Sequence, residues 1–343
     1  MDYIESMVMS MTQGLFTSYL LYTACDIGIF DLLYSKDRTI DEMSEETGIE
    51  VSIMHRIVRP LIAQGFILKK ANNLKVSEMG RRLSIHDEKT LKPFITFNVR
   101  ENAKYWEKMP EAVKAGKYPF LLLSQNDFFS NQLVDKESYG KFNSMMRASS
   151  IKLDFSSVFQ YIGDNHTIRT IADIGGGAGD VILSFLEYFN DAQGYILDLE
   201  HVKEEAKRNI KQYSNQFRCY FKTQDFFEEF KLSADLFILS RVLHDWLDDK
   251  VENILFNIKQ CMKAHSKLVV IDKVLPDEIN SKDFYLYMSD LYIWAACGGK
   301  ERSEGEFNKL FSEAGLRCIC RFKVSNDEYA MILEVDTRRE GEI

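Results

Sequence analysis

The position of one histidine, His244, in the sequence is compatible with a role as a general base. His244 lies at the centre of "LSRVLHDWLDD", after a run of apolar residues and before a cluster of carboxylates. Imidazole titrates near neutral pH, so a histidine at the end of a buried strand can take a proton from a bound hydroxyl. A histidine packed in a core gives the same pattern, and this motif alone leaves both interpretations open.

A glycine cluster gives a second chemical signal. The stretch "TIADIGGGAGDVI" places Gly175, Gly176, Gly177 and Gly179 between an apolar segment and an amphipathic one. Glycines at a strand-to-helix junction let the backbone turn tightly, and they let a ligand approach the free donors of a helix N-terminus. A tight turn without a ligand is the alternative.

Acidic residues follow the next two predicted strands. Asp198 ends "GYILDL", where a carboxylate can accept hydrogen bonds from both hydroxyls of a ribose. Asp225 in "KTQDFF" reaches the same crevice if the strands are parallel, and otherwise it is a turn residue. These residues predict a nucleoside cofactor. The GGGxG spacing differs from the GxGxxG that cradles a pyrophosphate, so it favours S-adenosylmethionine over NAD.

The elements that must position these residues begin near residue 170. Short apolar runs alternate there with amphipathic helices, a pattern typical of crossover units around a mostly parallel sheet. We predict seven strands, at "TIADI", "GYILDL", "FRCYF", "DLFILS", "KLVVID", "LRCICRFKV" and "YAMILEV". The last two have no helix between them and predict an antiparallel pair. The predicted fold class is α/β, with a Rossmann-like sheet.

The first hundred residues follow a different plan. Helices around 11–34 and 39–47, a third at "VSIMHRIVRPLIAQGFI" and a two-stranded wing at "LKKANNLKVSEMGRRL" indicate a winged helix. Such domains often read DNA, and the third helix exposes His55, Arg56 and Arg59. Pro60 lies inside that helix and argues against this use. The predicted divisions are 1–95, 96–165 (connecting helices), 166–337 and a frayed tail at 338–343.

Composition narrows the function classes. The 343 residues carry 43 Lys plus Arg against 52 Asp plus Glu, a formal charge of -9 that disfavours nucleic acid as the main partner. Six cysteines form no CxxC pair or Cys/His cluster, so we expect reduced thiols and no metal site. With no leader pattern and no apolar run near ~18 residues, we expect a cytoplasmic protein without a membrane partner.

Six ordered motifs carry a family resemblance: "DIGGGAGD", "ILDLEHV", "QDFF", "LSRVLHDWLDD", "LVVIDKVLP" and "GGKERSEGEF". Together with "LLYTACDIGIFDLL" and "KFNSMMRASS", they make the sequence resemble the S-adenosylmethionine-dependent small-molecule O-methyltransferases of plant phenolic and bacterial natural-product chemistry. The resemblance implies a class I methyltransferase domain and a winged-helix domain used for homodimerisation rather than for DNA. It also implies that the partner's N-terminal segment helps to wall each active site.

The resemblance also implies roles for single residues. His244 corresponds to the general base of an in-line methyl transfer, and Asp272 and Glu301 correspond to the two carboxylates that bracket it. Asp272 is a departure, because the phenolic enzymes carry Glu at this position. Its shorter side chain leaves two alternatives open, a direct contact with the imidazole or a contact through a water, so Glu301 is the safer orienting partner.

Two further sets of residues follow from the resemblance. The implied cofactor residues are Gly175, Gly176, Gly177, Asp198, Asp225, Phe226, Ser240, Arg241 and Ser150. Ser240 replaces a Lys that is common in plant relatives. The implied acceptor residues are Phe142, Met146, Met288 and Tyr292, apolar side chains suited to a flat aromatic substrate, although each is equally compatible with a core position.

The sequence therefore predicts a homodimeric enzyme that methylates a hydroxyl of an aromatic small molecule. One alternative is a relative that methylates nitrogen or carbon, or that keeps the cofactor without transferring methyl. The other is a winged-helix regulator that senses S-adenosylmethionine.

Overall fold

A computed structural model of the chain describes residues 2–132, 136–150 and 152–337. The chain divides into two compact units, Met1–Lys104 with Glu137–Ser149 and Tyr105–Lys136 with Ser150–Ile343. The predicted connecting segment, 96–165, is thus shared between the units, and the predicted tail at 338–343 lies outside the described residues.

The first unit is mainly helical. Its elements are α1 (Tyr3–Asp26), α2 (Ile29–Ser35), α3 (Ile40–Thr47), α4 (Val51–Ala63), β1 (Ile67–Lys70), β2 (Asn73–Val76), α5 (Glu78–Arg81) and α6 (Lys92–Arg100). The predicted first helix is two helices, because Gly28 breaks it with φ 79°. Strands β1 and β2 pair antiparallel after α4, which is the wing of a winged helix.

Helical spacing explains how this unit closes its core. Met54, Val58 and Leu61 recur along α4 on one stripe and are fully buried there. They pack in one cluster with Phe30 and Leu33 of α2. Among the described residues no single helix has the length and apolar composition to cross a bilayer, and α1 with α2 meets that test only as a pair bent by 54°.

The second unit contains the sheet. Its strands are β3 (Thr170–Ile174), β4 (Gln193–Asp198), β5 (Cys219–Thr223), β6 (Leu236–Ser240), β7 (Lys267–Leu275), β8 (Arg302–Ser303), β9 (Leu316–Lys323) and β10 (Glu328–Val335). The order is β5-β4-β3-β6-β7-β10-β9, parallel from β5 to β7 and antiparallel at β10 and β9. The seven predicted strands are confirmed; the two-residue β8, beside β7, was not predicted.

The remaining helices are α7 (Ala103–Ala115), α8 (Phe128–Gln132), α9 (Lys136–Ser150), α10 (Ser156–Asn165), α11 (Asp180–Tyr188), α12 (Lys203–Ile210), α13 (Asp248–Cys261), α14 (Phe284–Cys297) and α15 (Glu304–Glu313). Alternate residues of the central strands enter two apolar clusters, with Ile171 and Ile238 in one and Ala172 and Phe237 in the other. Because both faces of such a strand are buried, its sequence is a continuous run of apolar residues. The carboxyl ends of the parallel strands meet at one edge, and the site lies there.

Candidate active site

His244 follows strand β6 directly, as expected. Strand β6 is buried and apolar until Ser240, and the chain turns at Arg241, whose φ of 55° is in the left-handed region. His244 then lies in the single-turn 3-10 helix Leu243–Asp245 and is 9% exposed. The end of an apolar strand therefore places the imidazole at the carboxyl edge of the sheet.

Two buried carboxylates face Nδ1 of this imidazole. Nδ1 lies 2.8 Å from Asp272 Oδ1 and 3.4 Å from Glu301 Oε2. The ring nitrogen lacks hydrogen-bond alignment with either oxygen, so these are close charge pairs. Of the two alternatives left open for Asp272, the structure has the direct contact. Ser240 of β6 pairs with Ile271 of β7, which brings the next residue, Asp272, close enough for its short side chain to reach the ring.

A third carboxylate lies near the other ring nitrogen. Asp245 Oδ1 is 3.5 Å from Nε2 of His244 and accepts a long contact of 3.6 Å from the thiol of Cys297. Our sequence analysis did not name Asp245 as a site residue. Its place beside the histidine in "LHDW" is the signal that could have found it.

These charges control the titration of the histidine. Burial lowers the pKa of His244, but the negative charges of Asp272, Glu301 and Asp245 outweigh burial and hold that pKa well above 6.5. The imidazolium is therefore strongly stabilised. Deprotonation of this imidazole therefore requires a higher pH than that of an ordinary histidine.

Burial and neighbouring charges shift the pKa values of the three carboxylates around the histidine in different directions. Burial raises the pKa of Asp245 to about 7 and also raises the pKa of Asp272. Burial acts in the same direction on Glu301, but the charges of His244 and Lys273 outweigh it, so the pKa of Glu301 is below its ordinary value. Glu301 is thus the carboxylate most firmly kept as an anion.

The segment "GGKERS" holds the histidine loop in place. The N–H of Lys300 donates to the carbonyl oxygen of His244 at 2.9 Å, and a Cβ on Gly299 would lie 2.1 Å from that oxygen. Only glycine permits this approach. The fully buried guanidinium of Arg302 donates to the carbonyl oxygens of Leu243 and Trp246, both at 2.8 Å. Arg302 was not among the predicted residues.

Aromatic rings border the same loop. Trp246 stacks on Phe129 with centroids 5.3 Å apart and an interplanar angle of 26°. Phe227 meets the same indole edge-on at 4.8 Å. The sequence analysis did not single out Trp246 or Phe129. Trp246, two positions after His244 in the sequence, is therefore packed between two other aromatic rings.

The glycine loop and Asp198 form the candidate cofactor-binding site. Asp198 Oδ2 accepts the N–H of Gly177 at 2.8 Å, and Oδ1 accepts the N–H of Leu199 at 2.7 Å. Burial raises the pKa of Asp198, while these two donors lower it. The position of a Cβ on Gly177 has nothing within 4 Å, so a ligand can approach the backbone there. Each oxygen keeps a lone pair for a ribose hydroxyl, and the residues present fit a nucleoside.

The other predicted cofactor residues lie in three places. Phe226 packs beside the loop, with a ring carbon 3.4 Å from the Cβ position of Gly175, and Asp225 accepts the N–H of Phe227 at 2.9 Å as a turn cap. Ser240 ends β6. Arg241 pairs with Glu328, with Nη2 3.0 Å from Oε2, and its Nη1 lies 3.4 Å from Ser150 Oγ. The structure thus brings Ser150 and Arg241 together.

The predicted acceptor residues form two pairs, each spaced by one helical turn. Phe142 and Met146 lie on α9 within the first unit, where the Phe142 ring is 5.8 Å from Phe97. Met288 and Tyr292 lie on α14 within the second unit and are partly buried. Spacing by four residues places both members of each pair on one helix face.

Within the described ranges, the ligand atoms of His244, Asp272 and Glu301 lie within 4.8 Å of one another, a spacing close enough for a cation. The close charge pairs at Nδ1 already account for these atoms. The expectation that no metal takes part stays a prediction.

The sequence of the chain is similar to those of known methyltransferases. The chain is 26% identical over 313 residues to the phenazine O-methyltransferase PhzM of Lysobacter antibioticus, with 91% of each chain covered. It is 28% identical over 322 residues to the mitomycin biosynthesis 6-O-methyltransferase of Streptomyces lavendulae, with 91% of this chain and 89% of that protein covered.

The fold is also that of a solved methyltransferase. The crystal structure of human N-acetylserotonin methyltransferase with S-adenosylmethionine superposes with a TM-score of 0.86 at 20% identity, over 98% of this chain and 99% of that one. Residues 106–317 match the family described as the O-methyltransferase domain, which is more than half of the chain. The chain therefore belongs to the O-methyltransferase domain family of enzymes.

Proposed function

We propose that this enzyme transfers the methyl group of S-adenosylmethionine to a hydroxyl oxygen of an aromatic small molecule, with His244 as the general base. The observation that carries the proposal is the buried imidazole at the carboxyl edge of the sheet, with Nδ1 held 2.8 Å from Asp272 and 3.4 Å from Glu301. A base oriented by carboxylates on one nitrogen is free to act through the other.

The residues of the second unit suit this cofactor. S-adenosylmethionine supplies a methyl group on a positively charged sulfur. We assign Asp198 to the ribose hydroxyls, the glycine loop and Phe226 to the nucleoside, and Arg241 with Ser150 to the amino-acid end. Asp225 and Ser240 stay predicted contacts without a supporting geometry.

The chemistry asked of the protein is alignment and proton removal. The hydroxyl proton passes to Nε2 of His244, so the oxygen carries an additional electron pair as it accepts the methyl group in line. Asp272 and Glu301 stabilise the imidazolium that forms. Asp245, 3.5 Å from Nε2, lies on the side where the hydroxyl arrives.

An aromatic acceptor fits the rings beside the loop. Trp246 and Phe129 offer a flat apolar surface close to the base. The relatives named above act, by their names, on a phenazine and in mitomycin biosynthesis. Phe142, Met146, Met288 and Tyr292 stay predicted acceptor contacts.

We also infer that two copies of the chain assemble through α1. Its first turns expose apolar side chains that a soluble surface rarely carries together, among them Met11 (69% exposed), Leu15 (59%) and Phe16 (67%). The acidic balance argues against nucleic acid as a partner, and free cysteines suit the cytoplasm.

The test is a product analysis with methyl-labelled S-adenosylmethionine. The acceptors are hydroxyphenazines, simple phenols and hydroxylated polyketides, each beside the analogue with an amino group in place of the hydroxyl. We expect labelled methyl ethers from the hydroxyl compounds, with the same yield in EDTA, and none with His244→Ala. Label on nitrogen or carbon, or no labelled product from any acceptor, would contradict the proposal.

A further inference from the structure

The two oxygens of Glu301 have different partners. Oε2 faces His244 Nδ1 at 3.4 Å, whereas Oε1 accepts a hydrogen bond from the hydroxyl of Ser289 on α14 at 3.0 Å. Ser289 Oγ in turn accepts a hydrogen bond from Nζ of Lys273 on β7 at 2.7 Å. The direction of both hydrogen bonds is fixed, because an ammonium only donates and a carboxylate only accepts. A continuous series of polar contacts, called the line below, therefore runs from Lys273 through Ser289 and Glu301 to His244.

This line ends in a strongly anionic cluster. His244 is faced by Asp245 from its own turn, by Asp272 from β7 and by Glu301. The backbone N–H of Glu301 is bound in turn by the carboxylate of Asp290 at 2.8 Å. Three carboxylates around one imidazole hold its proton tightly, which opposes its use as a base.

Three other nearby cations have different partners, and one of them, Lys300, pairs with Asp248 and Glu306. Arg302 donates to backbone carbonyls and pairs with Asp248 at 2.7 Å. Arg241 pairs with Glu328. Neither guanidinium hydrogen-bonds to a carboxylate that faces His244.

Lys273 is placed to supply the compensating charge. Its side chain is 18% exposed, and it lies opposite Glu328 in the β7–β10 pairing, although the Glu328 carboxylate is engaged by Arg241. The other groups that face Lys273 are Asp327 at 3.5 Å and the Tyr285 ring at 5.0 Å. Its shortest contact among these is the one to Ser289, so its charge is directed toward Glu301.

We propose that Lys273 and Ser289 are positioning residues of the methyl transfer: they hold Glu301 as an anion turned toward His244, and they offset part of the negative charge around the imidazole. This role rests on the proposed function of His244. The positive charge of Lys273 lets His244 release its proton at a lower pH than the three carboxylates alone would allow. Removing the ammonium makes the cluster more negative, so the cluster binds its proton more tightly and the base is freed only at higher pH.

The test compares Lys273→Met, Lys273→Arg and Ser289→Ala with the matched control Lys309→Met, since Lys309 is exposed on α15 and its contact is with Glu313. Two readouts are taken on the full chain: the pH profile of kcat/KM, and the titration of His244 by NMR of histidine-labelled protein without acceptor. His244→Ala assigns the signal.

We expect Lys273→Met to move both midpoints upward by about one pH unit, the scale of one nearby charge. Ser289→Ala should move them in the same direction by less, and Lys273→Arg should restore most of the difference. Lys309→Met should match the wild type. KM for the acceptor should change less than kcat, because the proposed role of both residues is to act on Glu301 rather than on the acceptor.

Unchanged midpoints in both Lys273→Met and Ser289→Ala would overturn the inference. If Lys273→Met fails to fold, judged by circular dichroism, Ser289→Ala decides alone. The NMR titration needs no acceptor, so the two proposals fail separately. A shifted His244 titration in a protein that methylates nothing overturns the proposed function, and an active enzyme with an unshifted titration overturns this inference.

Discussion

At the scale of single residues, the site depends on how three carboxylates are arranged around one imidazole. His244 is 9% exposed, and burying a charged group is costly unless partners replace water. Asp272 and Glu301 provide that replacement on Nδ1, and Asp245 lies near Nε2. Three predictions concern this cluster, and a fourth concerns Asp198.

Replacing the base should separate chemistry from binding. His244→Ala should lower kcat by ~100-fold or more, the scale of losing a general base, and leave S-adenosylmethionine affinity unchanged. Stopped assays with labelled cofactor and calorimetry measure the two quantities. The matched control is His265→Ala, whose side chain is 62% exposed. Wild-type rates in His244→Ala would remove the residue from the mechanism.

The pH dependence follows from the raised pKa of His244. In the proposed mechanism the neutral imidazole of His244 is the active form, so the rate should rise with pH through a midpoint above 6.5. Asp272→Asn removes one of the anions that raise this pKa, so its midpoint should lie at lower pH than that of the wild type. A midpoint that stays in place or moves upward would show that Asp272 does not act on the histidine.

The same shift affects folding stability. A histidine whose pKa is raised by folding contributes stability below its unfolded pKa, and this contribution is lost as pH rises through the folded pKa. Urea unfolding of the wild type at a series of pH values should therefore show stability that falls as the pH rises through the raised pKa of His244.

Asp198 is expected to act on the cofactor alone. Asp198→Ala should weaken S-adenosylmethionine binding by about 1.5–3 kcal/mol, the scale of hydrogen bonds to a charged group. Isothermal calorimetry measures this, with Asp191→Ala as control because Asp191 is 80% exposed at its side chain. Equal affinity in the two variants would place the ribose elsewhere.

At the scale of elements, strand ends and tight loops decide where side chains meet. Strand β6 delivers His244, strand β7 delivers Asp272, and the loop before β8 delivers Glu301. The loop can approach only because Gly299 has no side chain. Arg302 then fixes the carbonyls on both sides of the histidine.

Gly299→Ala tests this close approach. Its Cβ would lie 2.1 Å from the His244 carbonyl oxygen, so the loop must shift. We expect a loss of about 1–3 kcal/mol in unfolding free energy, as for overpacking, and a fall in kcat of more than tenfold. Gly305→Ala in α15 is the control, because its Cβ meets only Ser303 Oγ at 3.8 Å. Thermal unfolding and kcat are measured for both variants. If Gly299→Ala is as stable and as active as Gly305→Ala, the prediction is contradicted.

At the scale of the whole molecule, α1 is the proposed contact between two copies of the chain. Its exposed apolar side chains lack a covering surface within the first unit, which supports a second copy as their partner. If the partner's N-terminal segment also walls the active site, assembly and acceptor binding depend on the same residues.

Deleting residues 1–10 should therefore raise KM for the acceptor more than the Kd for the cofactor, and it should shift the dimer toward monomer in analytical ultracentrifugation. Phe16→Glu should act in the same direction. Phe217→Glu is the control, since Phe217 is 80% exposed in the second unit. Equal effects on acceptor and cofactor would argue against a shared wall.

The sequence by itself determined the strands, the glycine loop and the position of His244, because these follow from local patterns. Apolar runs such as "DLFILS" identify a buried strand, and the edge of a parallel sheet follows from the strand end. The predicted strand "FRCYF" begins too early, because Gln216–Arg218 forms a 3-10 turn before β5. The predicted strand "KLVVID" ends too early, because β7 continues to Leu275.

Only the tertiary structure decided which side chains touch. The direct contact of Asp272 with His244, the clamp made by Arg302 and the line from Lys273 through Ser289 join residues far apart in the chain. Side-chain length and residue type do not give these distances. They depend on strand register and loop packing, which no local pattern encodes.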